Sequence, residues 1–221
     1  MPSTKAYKGW GMEGAVARWY SGLTKKSMED FTALARTTAE GLAPRSSVLE
    51  VAPGPGYFAI ELAKIGDYRI TGLDISETFV EIARANAAEA HVRVDFRKGN
   101  AAEMPFPDDT FDFLLCRAAF KNFSEPGRAL NEMYRVLKRG GRALIIDLRR
   151  DASNESITKA VDEMHVGAVN GFVTKMTFRH MLLKRAYTRD EFEEMIAETK
   201  FAGVEIRDSL IGFEIALTKG L

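Results

Sequence analysis

The chain has 221 residues, of which 46% are hydrophobic and 10% aromatic, so it can bury a substantial core. Its length fits one domain, 1–221, rather than two, and its composition excludes disordered and fibrous proteins. Lys plus Arg and Asp plus Glu each number 31, which gives a formal net charge of zero. A protein without a net positive field does not recruit polyanions, so we expect no nucleic-acid partner.

The single cysteine, Cys116, cannot form an internal disulfide. No apolar run approaches the roughly 20 residues needed to span a bilayer. The N-terminus also lacks the apolar region of a signal peptide. We therefore expect a cytoplasmic protein without stable membrane insertion.

Residues 1–45 precede the first predicted strand and contain two tryptophans and two tyrosines. The spacing of apolar residues predicts a helix over 28–40, whose buried face would carry Phe31, Leu34, Ala35 and Thr38. We expect an N-terminal helical appendage that packs on the sheet, with Trp19 and Tyr20 as possible apolar anchors.

The segment 48–64 has the sequence VLEVAPGPGYFAIELAK, which predicts a strand, a tight loop and a helix. Gly54 and Gly56 permit a sharp turn and close approach of the backbone. Such a loop exposes backbone N–H groups at a helix start, where they can bind an anion or the polar edge of a ligand.

Two carboxylates indicate what kind of ligand this loop binds. Glu50 lies within the apolar strand, where a buried carboxylate is costly, and it suits a ligand with positive charge or several hydrogen-bond donors. Asp74 ends the next predicted strand, 18 residues after Gly56, where a ribose diol is usually held. A phosphate beside Glu50 would be repelled.

The following elements alternate between helix and strand. Ser76 is a predicted cap for a helix to about Ala90, and the later elements are a strand over 92–96, a strand over 111–116, a helix from Pro126 closed by Gly140–Gly141, and a strand over 143–146. Three polar residues follow the fourth strand: Arg117, Lys121 and Asn122. Loops at the carboxyl ends of strands in open α/β sheets deliver site residues, although each of the three is also compatible with an ordinary loop role.

Residues 149–186 form a longer connection than a strand and a helix require, and we expect a helical, lid-like insertion that covers the substrate side. It contains His165 and His180, which titrate near neutral pH and are weak candidates for a general base. Thr188 and Glu191 predict a capping box, and two strands over 203–207 and 211–218 end the chain. The three histidines lack metal-ligand spacing, so we expect no metal site.

Four patches, taken together in this order and spacing, resemble the class I S-adenosylmethionine-dependent methyltransferases. They are 48–56, 72–76, 99–112 and 129–141, and the resemblance is greatest to the small-molecule branch that contains the quinone-biosynthesis C-methyltransferases. It implies a doubly wound, mostly parallel seven-stranded α/β sheet with an antiparallel C-terminal hairpin. It also implies S-adenosyl-L-methionine as cofactor and a small-molecule methyl acceptor.

The resemblance also implies a set of cofactor-binding residues. Tyr20 would reach the methionine carboxylate, Asp74 the ribose, and Asn100 the adenine amino group, although the family usually has Asp at the position of Asn100 and Gly at that of Ala52. The full predicted set is Tyr20, Glu50, Ala52, Gly54, Gly56, Asp74, Ile75, Asn100, Ala101 and Arg117. The catalytic residue stays unknown, with His165, His180 and Arg117 as weak candidates, and a monomer and a homodimer both remain open.

Two other functions are compatible with part of the pattern. The sequence Gly54-x-Gly56-x-x-Ala59 with Asp74 satisfies a loose dinucleotide fingerprint, which is typical of nicotinamide-dependent oxidoreductases. Glu50 disfavours it, because a carboxylate would face the pyrophosphate. A noncatalytic module that binds the cofactor or a protein partner is the second alternative.

Overall fold

The computed structural model describes residues 7–8, 12–163 and 183–221. Seven strands form a single sheet in the order β3-β2-β1-β4-β5-β7-β6. The strands are β1 Ser47–Val51, β2 Arg69–Asp74, β3 Asp95–Lys98, β4 Phe111–Arg117, β5 Leu137–Leu148, β6 Gly203–Asp208 and β7 Gly212–Thr218. The helices are α1 Gly14–Thr24, α2 Met28–Glu40, α3 Tyr57–Ile65, α4 Glu77–Glu89, α5 Pro126–Val136, α6 Asn154–Glu163 and α7 Arg189–Ala197.

Strands β1 and β4 form the centre of the sheet, and their near-continuous apolar sequences explain this position. Val48 pairs in parallel with Ile70 of β2 on one side and with Phe113 of β4 on the other. Strands covered by helices on both faces need apolar side chains on both faces. Helices α2, α3 and α4 pack on one face around Phe58, while α5 and α7 pack on the other around Leu130 and Phe192.

The last two strands reverse direction. β7 lies antiparallel between β5 and β6, so that Ile215 pairs with Ile145 of β5 and with Ile206 of β6. The predicted doubly wound sheet with an antiparallel C-terminal hairpin is therefore confirmed. The Thr188–Glu191 capping box is also present and begins α7.

The N-terminal appendage consists of α1, a 3-10 turn over Lys25–Ser27 and α2. The bounds of α2 match the prediction, and Phe31, Ala35 and Thr38 are buried. Trp19 is 67% exposed, so its role as an apolar anchor is wrong; Ala17 is the residue of α1 that is buried.

Two predicted boundaries are corrected by strand pairing. β3 spans Asp95–Lys98 rather than 92–96, because its ladder with β2 begins at the pair Thr71–Asp95 and continues to the pair Asp74–Lys98. Helix α5 ends at Val136, well before Gly140–Gly141. Leu137 pairs with Phe111 of β4, and the glycines form an irregularity within β5, where Gly140 has a φ of 72°.

Gly56 and Gly54 both adopt left-handed backbone conformations but differ in the space around them. A Cβ atom at Gly56, where φ is 78°, would lie 2.5 Å from Cζ of Phe96. At Gly54, where φ is 54°, the nearest atom would be Cε1 of Phe79 at 4.0 Å. Only Gly56 is therefore required by close packing as well as by backbone angle.

We expect Gly56→Ala to destabilise the fold by about 1–3 kcal/mol more than Gly54→Ala, which is the usual cost of overpacking a core. Both variants carry the strain of a left-handed alanine, so the difference isolates the clash with Phe96. Urea unfolding of the two variants measures it. Equal losses of unfolding free energy would contradict this account of the loop.

Candidate functional site

The candidate site lies at the carboxyl ends of β1, β2 and β4. The strand order reverses between β1 and β4, because the chain passes from β1 outward to β3 and then returns to the other side of β1. Loops at such a switch point diverge and leave a crevice, which is where open α/β sheets bind ligands. The predicted cofactor residues Glu50, Asp74 and Arg117 come from these three strands.

The loop from Ala52 to Gly56 turns sharply because several of its residues adopt left-handed conformations. Ala52 has a φ of 55°, although it is not glycine, and its N–H donates to the carbonyl of Leu73 at 2.8 Å. Gly54 and Gly56 complete the turn into α3. The Ala52 departure from the family glycine is thus accommodated in the same backbone region that glycine favours.

Glu50 is buried and holds the start of the helix that follows the loop. Its carboxylate accepts a hydrogen bond from the backbone N–H of Ala59 in α3 at 3.1 Å. Burial raises the pKa of Glu50 to about 8, the Ala59 hydrogen bond and the Arg117 cation oppose this rise, and Asp74 adds to it. No basic side chain forms an ion pair with Glu50 within the part of the chain that the structure describes.

Asp74 holds the opposite side of the loop. One carboxylate oxygen accepts from the N–H of Gly54 at 3.0 Å, and the other accepts from the N–H of Ser76 at 2.9 Å. Burial raises the pKa of Asp74 to about 6, which these amides oppose. Each oxygen retains a further lone pair, so the carboxylate can position the loop and still accept from a ligand.

Three further predicted residues border the same crevice. Ile75 follows Asp74 and is 40% exposed, which leaves apolar surface beside the loop. Asn100 lies just after β3, and its side-chain oxygen accepts from the N–H of Ala102 at 3.0 Å. Ala101 follows Asn100 in the chain and packs on the core. Asn100 thus stabilises its own turn, and its contact with adenine stays a prediction.

The N-terminal appendage is fixed to the start of α4 next to Asp74. The Glu13 carboxylate accepts from the N–H groups of Glu77 and Thr78, each at 3.1 Å, and therefore caps α4. Ser76 donates its hydroxyl to the carbonyl of Met12 at 2.7 Å. Tyr20 then packs edge-on against Phe79, with 6.0 Å between ring centroids. These contacts bring Tyr20 to the cofactor side of the crevice.

On the other side of the crevice, the loop after β4 is held by a buried ion pair. Lys121 and Asp147 are both buried, with 2.7 Å between the Nζ and Oδ1 atoms. Nζ also donates to the carbonyl of Ala118, and Asp147 accepts from the N–H of Lys121. Lys121 therefore fixes the loop, which is the ordinary loop role that its position in the sequence also allowed.

Arg117 ends β4 and points toward the appendage. Its guanidinium lies 4.4 Å from the centroid of the Phe31 ring of α2, a cation–π contact. Its positive charge also lowers the pKa of Glu50. Arg117 thus connects the appendage with the buried carboxylate. The side chain of Asn122 has no contact with the described residues that indicates a site role.

Tyr7 was not among the predicted site residues, yet it lies at the crevice. It forms an antiparallel bridge with Phe123, which follows the loop after β4. Burial raises the pKa of the Tyr7 hydroxyl; Arg185 opposes this, while Tyr20, Asp74 and Asp147 add to it. Only tertiary pairing brings this N-terminal tyrosine to the site, so no local signal in the sequence identifies it.

The histidines, the cysteine and the predicted absence of a metal site and of a membrane span concern other parts of the chain. His165 and His180 lie outside the described residues. Among the residues that are described, no three His, Cys, Asp or Glu side chains are grouped so that they could hold a metal ion. None of the described helices is long and apolar enough to cross a membrane. Cys116 is fully buried, and burial raises the pKa of its thiol well above the usual value, so it is unsuited to act as a nucleophile.

Comparison with known proteins identifies the central part of the chain. A family model described as a methyltransferase domain matches residues 49–145. A demethylmenaquinone methyltransferase from Deinococcus radiodurans is 35% identical over 147 residues, which are 65% of this chain and 55% of that protein. Residues 49–145 therefore match a methyltransferase domain.

A second relative extends this result. A demethylmenaquinone methyltransferase from Listeria monocytogenes is 39% identical over 105 residues, which cover 46% of this chain and 44% of that protein. The chain therefore spans about half the length of the curated relatives that it matches. The predicted resemblance to class I methyltransferases of the quinone-biosynthesis branch is confirmed.

Solved structures show the same fold at lower identity. A Methanococcus maripaludis protein described as an S-adenosyl-L-methionine-dependent methyltransferase has a TM-score of 0.76 and 21% identity, with coverage of 97% of this chain and 96% of that one. The [4+2]-cyclase SpnF has a TM-score of 0.64 and 22% identity, with coverage of 86% and 81%. The match to a methyltransferase domain implies S-adenosyl-L-methionine as the cofactor.

The residues at the crevice fit this cofactor. S-adenosyl-L-methionine carries a sulfonium, an ammonium and two ribose hydroxyls, so it is both cationic and rich in donors. Glu50 and Asp74 are buried carboxylates whose raised pKa values show that nearby groups do not fully stabilise their charge. A cationic ligand with donors supplies that stabilisation.

We expect the ligand-free protein to lose stability as pH rises from about 5 to about 8. The folded pKa of Glu50, about 8, lies above its value in the unfolded chain, so the folded state binds more protons in this window. One fully displaced proton costs about 1.4 kcal/mol per pH unit. Thermal unfolding across this range measures the slope, which Glu50→Gln should flatten. An equal slope in Glu50→Gln would show that Glu50 is not the titrating group.

Proposed function

We propose that the protein transfers a methyl group from S-adenosyl-L-methionine to a small-molecule acceptor. The observation that carries the proposal is the pair of buried carboxylates, Glu50 and Asp74, that hold the two sides of the glycine loop at the switch point of a methyltransferase domain. Two relatives are named as methyltransferases of a small molecule, which supports the class of acceptor but not its identity.

The chain's own residues would position the reactants. When bound, the cofactor supplies a sulfonium leaving group, so the protein needs only to align a nucleophile with the methyl carbon and exclude water. Such alignment can supply on the order of 7 kcal/mol. Asp74 would hold the ribose and Asn100 the adenine, while Glu50 and Tyr20 would hold the methionine end. Ile75 and Ala101 would supply apolar surface. Gly54 and Gly56 allow the backbone to approach the cofactor closely.

The acceptor would enter from the side of β4 and β5. The loop after β4 is fixed there by Lys121 and Asp147, and Arg117 begins it. No acidic or basic side chain on this side can yet be assigned as a general base, since His165 and His180 lie outside the described residues. The protein could act as a monomer or as a homodimer.

An oxidoreductase that uses a nicotinamide dinucleotide is the first alternative. The glycine loop and Asp74 are compatible with it, but Glu50 is not. Its carboxylate lies directly behind the loop, hydrogen-bonded to the first turn of α3, where a pyrophosphate would bind. A pyrophosphate at this position would raise the pKa of Glu50 further, whereas a cationic ligand would lower it.

A function other than methyl transfer is the second alternative, and one comparison supplies a specific reason to test it. SpnF shares this fold and is named a [4+2]-cyclase, so the fold alone does not decide the reaction. The same reasoning applies to a noncatalytic module that binds the cofactor. Transfer of a labelled methyl group to a panel of phenols, amines, thiols and carboxylic acids separates these functions from a methyltransferase.

We expect Asp74→Ala to weaken binding of S-adenosyl-L-methionine by about 1.5–3 kcal/mol, the range for hydrogen bonds to a charged group. Asp95→Ala is a matched control, since it removes an exposed carboxylate from the neighbouring strand β3. Calorimetric titration measures both affinities. Because Asp74 also holds Gly54 and Ser76, thermal unfolding of each variant must accompany the titration. Equal affinity in the Asp74→Ala variant and wild type would exclude this assignment.

We also expect protons to be released when the cofactor binds near pH 7. Neutral Glu50 would lose its proton because a cationic ligand favours the carboxylate, so the affinity should increase as pH rises from about 6 to about 8. Titration in two buffers of different ionisation enthalpy counts the protons. S-adenosyl-L-homocysteine, which lacks the sulfonium charge, should release fewer, and Glu50→Gln should release fewer still. Uptake of protons would contradict the proposed charge complementarity.

A further inference from the structure

Four side chains from distant parts of the sequence meet at one end of the crevice. We call Tyr7, Lys8, Arg185 and Tyr187 the entrance cluster. The Lys8 ammonium donates to the Tyr187 hydroxyl and lies 4.5 Å from the centroid of that ring. Nη1 of Arg185 donates to the Lys8 carbonyl at 3.4 Å.

Backbone pairing places the entrance cluster beside the carboxyl ends of β4 and β5. The N–H of Lys8 donates to the carbonyl of Asn122 at 2.7 Å, and Tyr7 bridges to Phe123, just after the β4 loop. Tyr187 bridges to Arg149, just after β5. The cluster therefore lies on the acceptor side of the crevice, away from β2 and β3.

The two cations of the cluster differ from the other basic residues nearby. Arg149, Arg150 and Arg189 are each paired with a carboxylate. Lys8 and Arg185 contact only a hydroxyl, an aromatic ring and a carbonyl in the described part of the chain. An ammonium has three donors and a guanidinium five, so with respect to the described residues both retain free donors and a positive charge that no carboxylate pairs with.

Tyr7 adds a neutral donor to these cations. Tyr7 precedes Lys8 in the chain and bridges to Phe123, which places it next to the residue whose carbonyl Arg185 contacts. Burial raises the pKa of its hydroxyl, so the hydroxyl is a neutral donor. A neutral hydroxyl together with two cations is a combination of donors that favours an anionic oxygen.

We propose that the entrance cluster binds an anionic group of the methyl acceptor, with Lys8 and Arg185 as its charged donors and Tyr7 as its neutral donor. The acceptor is then a small molecule that carries a carboxylate or another ionised oxygen, and Tyr187 supplies an aromatic surface beside that group. This proposal rests on the proposed function, because it concerns the acceptor side of the same crevice. The names of the relatives do not specify such a charge.

The test compares probes of the same size that differ in charge. Benzoate and benzamide, and salicylate and salicylamide, are titrated by calorimetry into protein saturated with S-adenosyl-L-homocysteine. We expect the acid of each pair to bind at least about tenfold tighter than its amide, the difference expected from a lost charge-assisted hydrogen bond. Added salt should reduce the preference, because part of it is electrostatic.

Arg185→Met and Arg150→Met form a matched pair of variants. Each removes one arginine from the same region, but Arg150 is already paired with Glu191. We expect Arg185→Met to reduce the affinity for the acids at least about tenfold and to leave the amides unchanged, and Arg150→Met to have little effect. Three further variants extend the series: Arg185→Lys, which keeps the charge, Lys8→Met and Tyr7→Phe. Thermal unfolding shows that each variant is folded.

Three results would overturn the proposal: equal affinity for acids and amides, no binding of either acid, or an equal loss in Arg150→Met and Arg185→Met. Failure of the proposed function is distinguishable from all three. In that case no labelled methyl group would be transferred to any acceptor, whether or not S-adenosyl-L-methionine binds, while the acid preference is measured independently of transfer; if the cofactor does not bind, it is measured on protein without cofactor.

Discussion

The glycine loop depends on two carboxylates that bind its backbone from opposite sides. Glu50, on β1, accepts from the first turn of α3, and Asp74, at the end of β2, accepts from Gly54 within the loop. Both are buried, so water does not stabilise their charges, and each has a raised pKa. The ligand-free site therefore retains a cost that a cation with hydrogen-bond donors removes. Loop geometry and ligand preference thus have the same physical origin.

The acceptor side uses the opposite arrangement. Lys121 and Asp147 are a buried pair in which the two charges neutralise each other and the remaining donors are satisfied by backbone groups. Such a pair contributes to a defined loop conformation more than to net stability, because desolvation offsets most of the attraction. Lys8 and Arg185 lie near this loop without a carboxylate partner among the described residues, which leaves charge available for a ligand.

The fold by itself does not determine which reaction a protein of this class catalyses. The sheet is shared with solved structures of different names, one of which is a [4+2]-cyclase. The reaction depends on what lies opposite the cofactor, which here comes from the N-terminal segment, the β4 loop and the residues before α7. The N-terminal segment and the residues before α7 lie outside the matched range, 49–145, whereas the β4 loop lies within it.

The succession of strands and helices and the glycine loop with its two carboxylates could be predicted from sequence, because they depend on short-range patterns; the sheet architecture was implied by the family resemblance. The apolar run of β1, the two glycines and the spacing to Asp74 are contiguous, and Glu50 is conspicuous as an acid in an apolar strand. The Ser76 and Thr188 caps are local for the same reason, since a cap bonds to N–H groups two or three residues away.

Tertiary structure decided the features that depend on partners distant in sequence. The end of α5 was set by pairing of Leu137 with Phe111, which overrides the helix-ending preference of Gly140–Gly141. Lys121 has a structural role because it pairs with Asp147, which lies 26 residues later and comes into contact with it only in the folded protein. Lys8 and Arg185 meet across nearly the whole chain. Local propensity contains no information about such contacts, because the free energy that selects them comes from packing between elements.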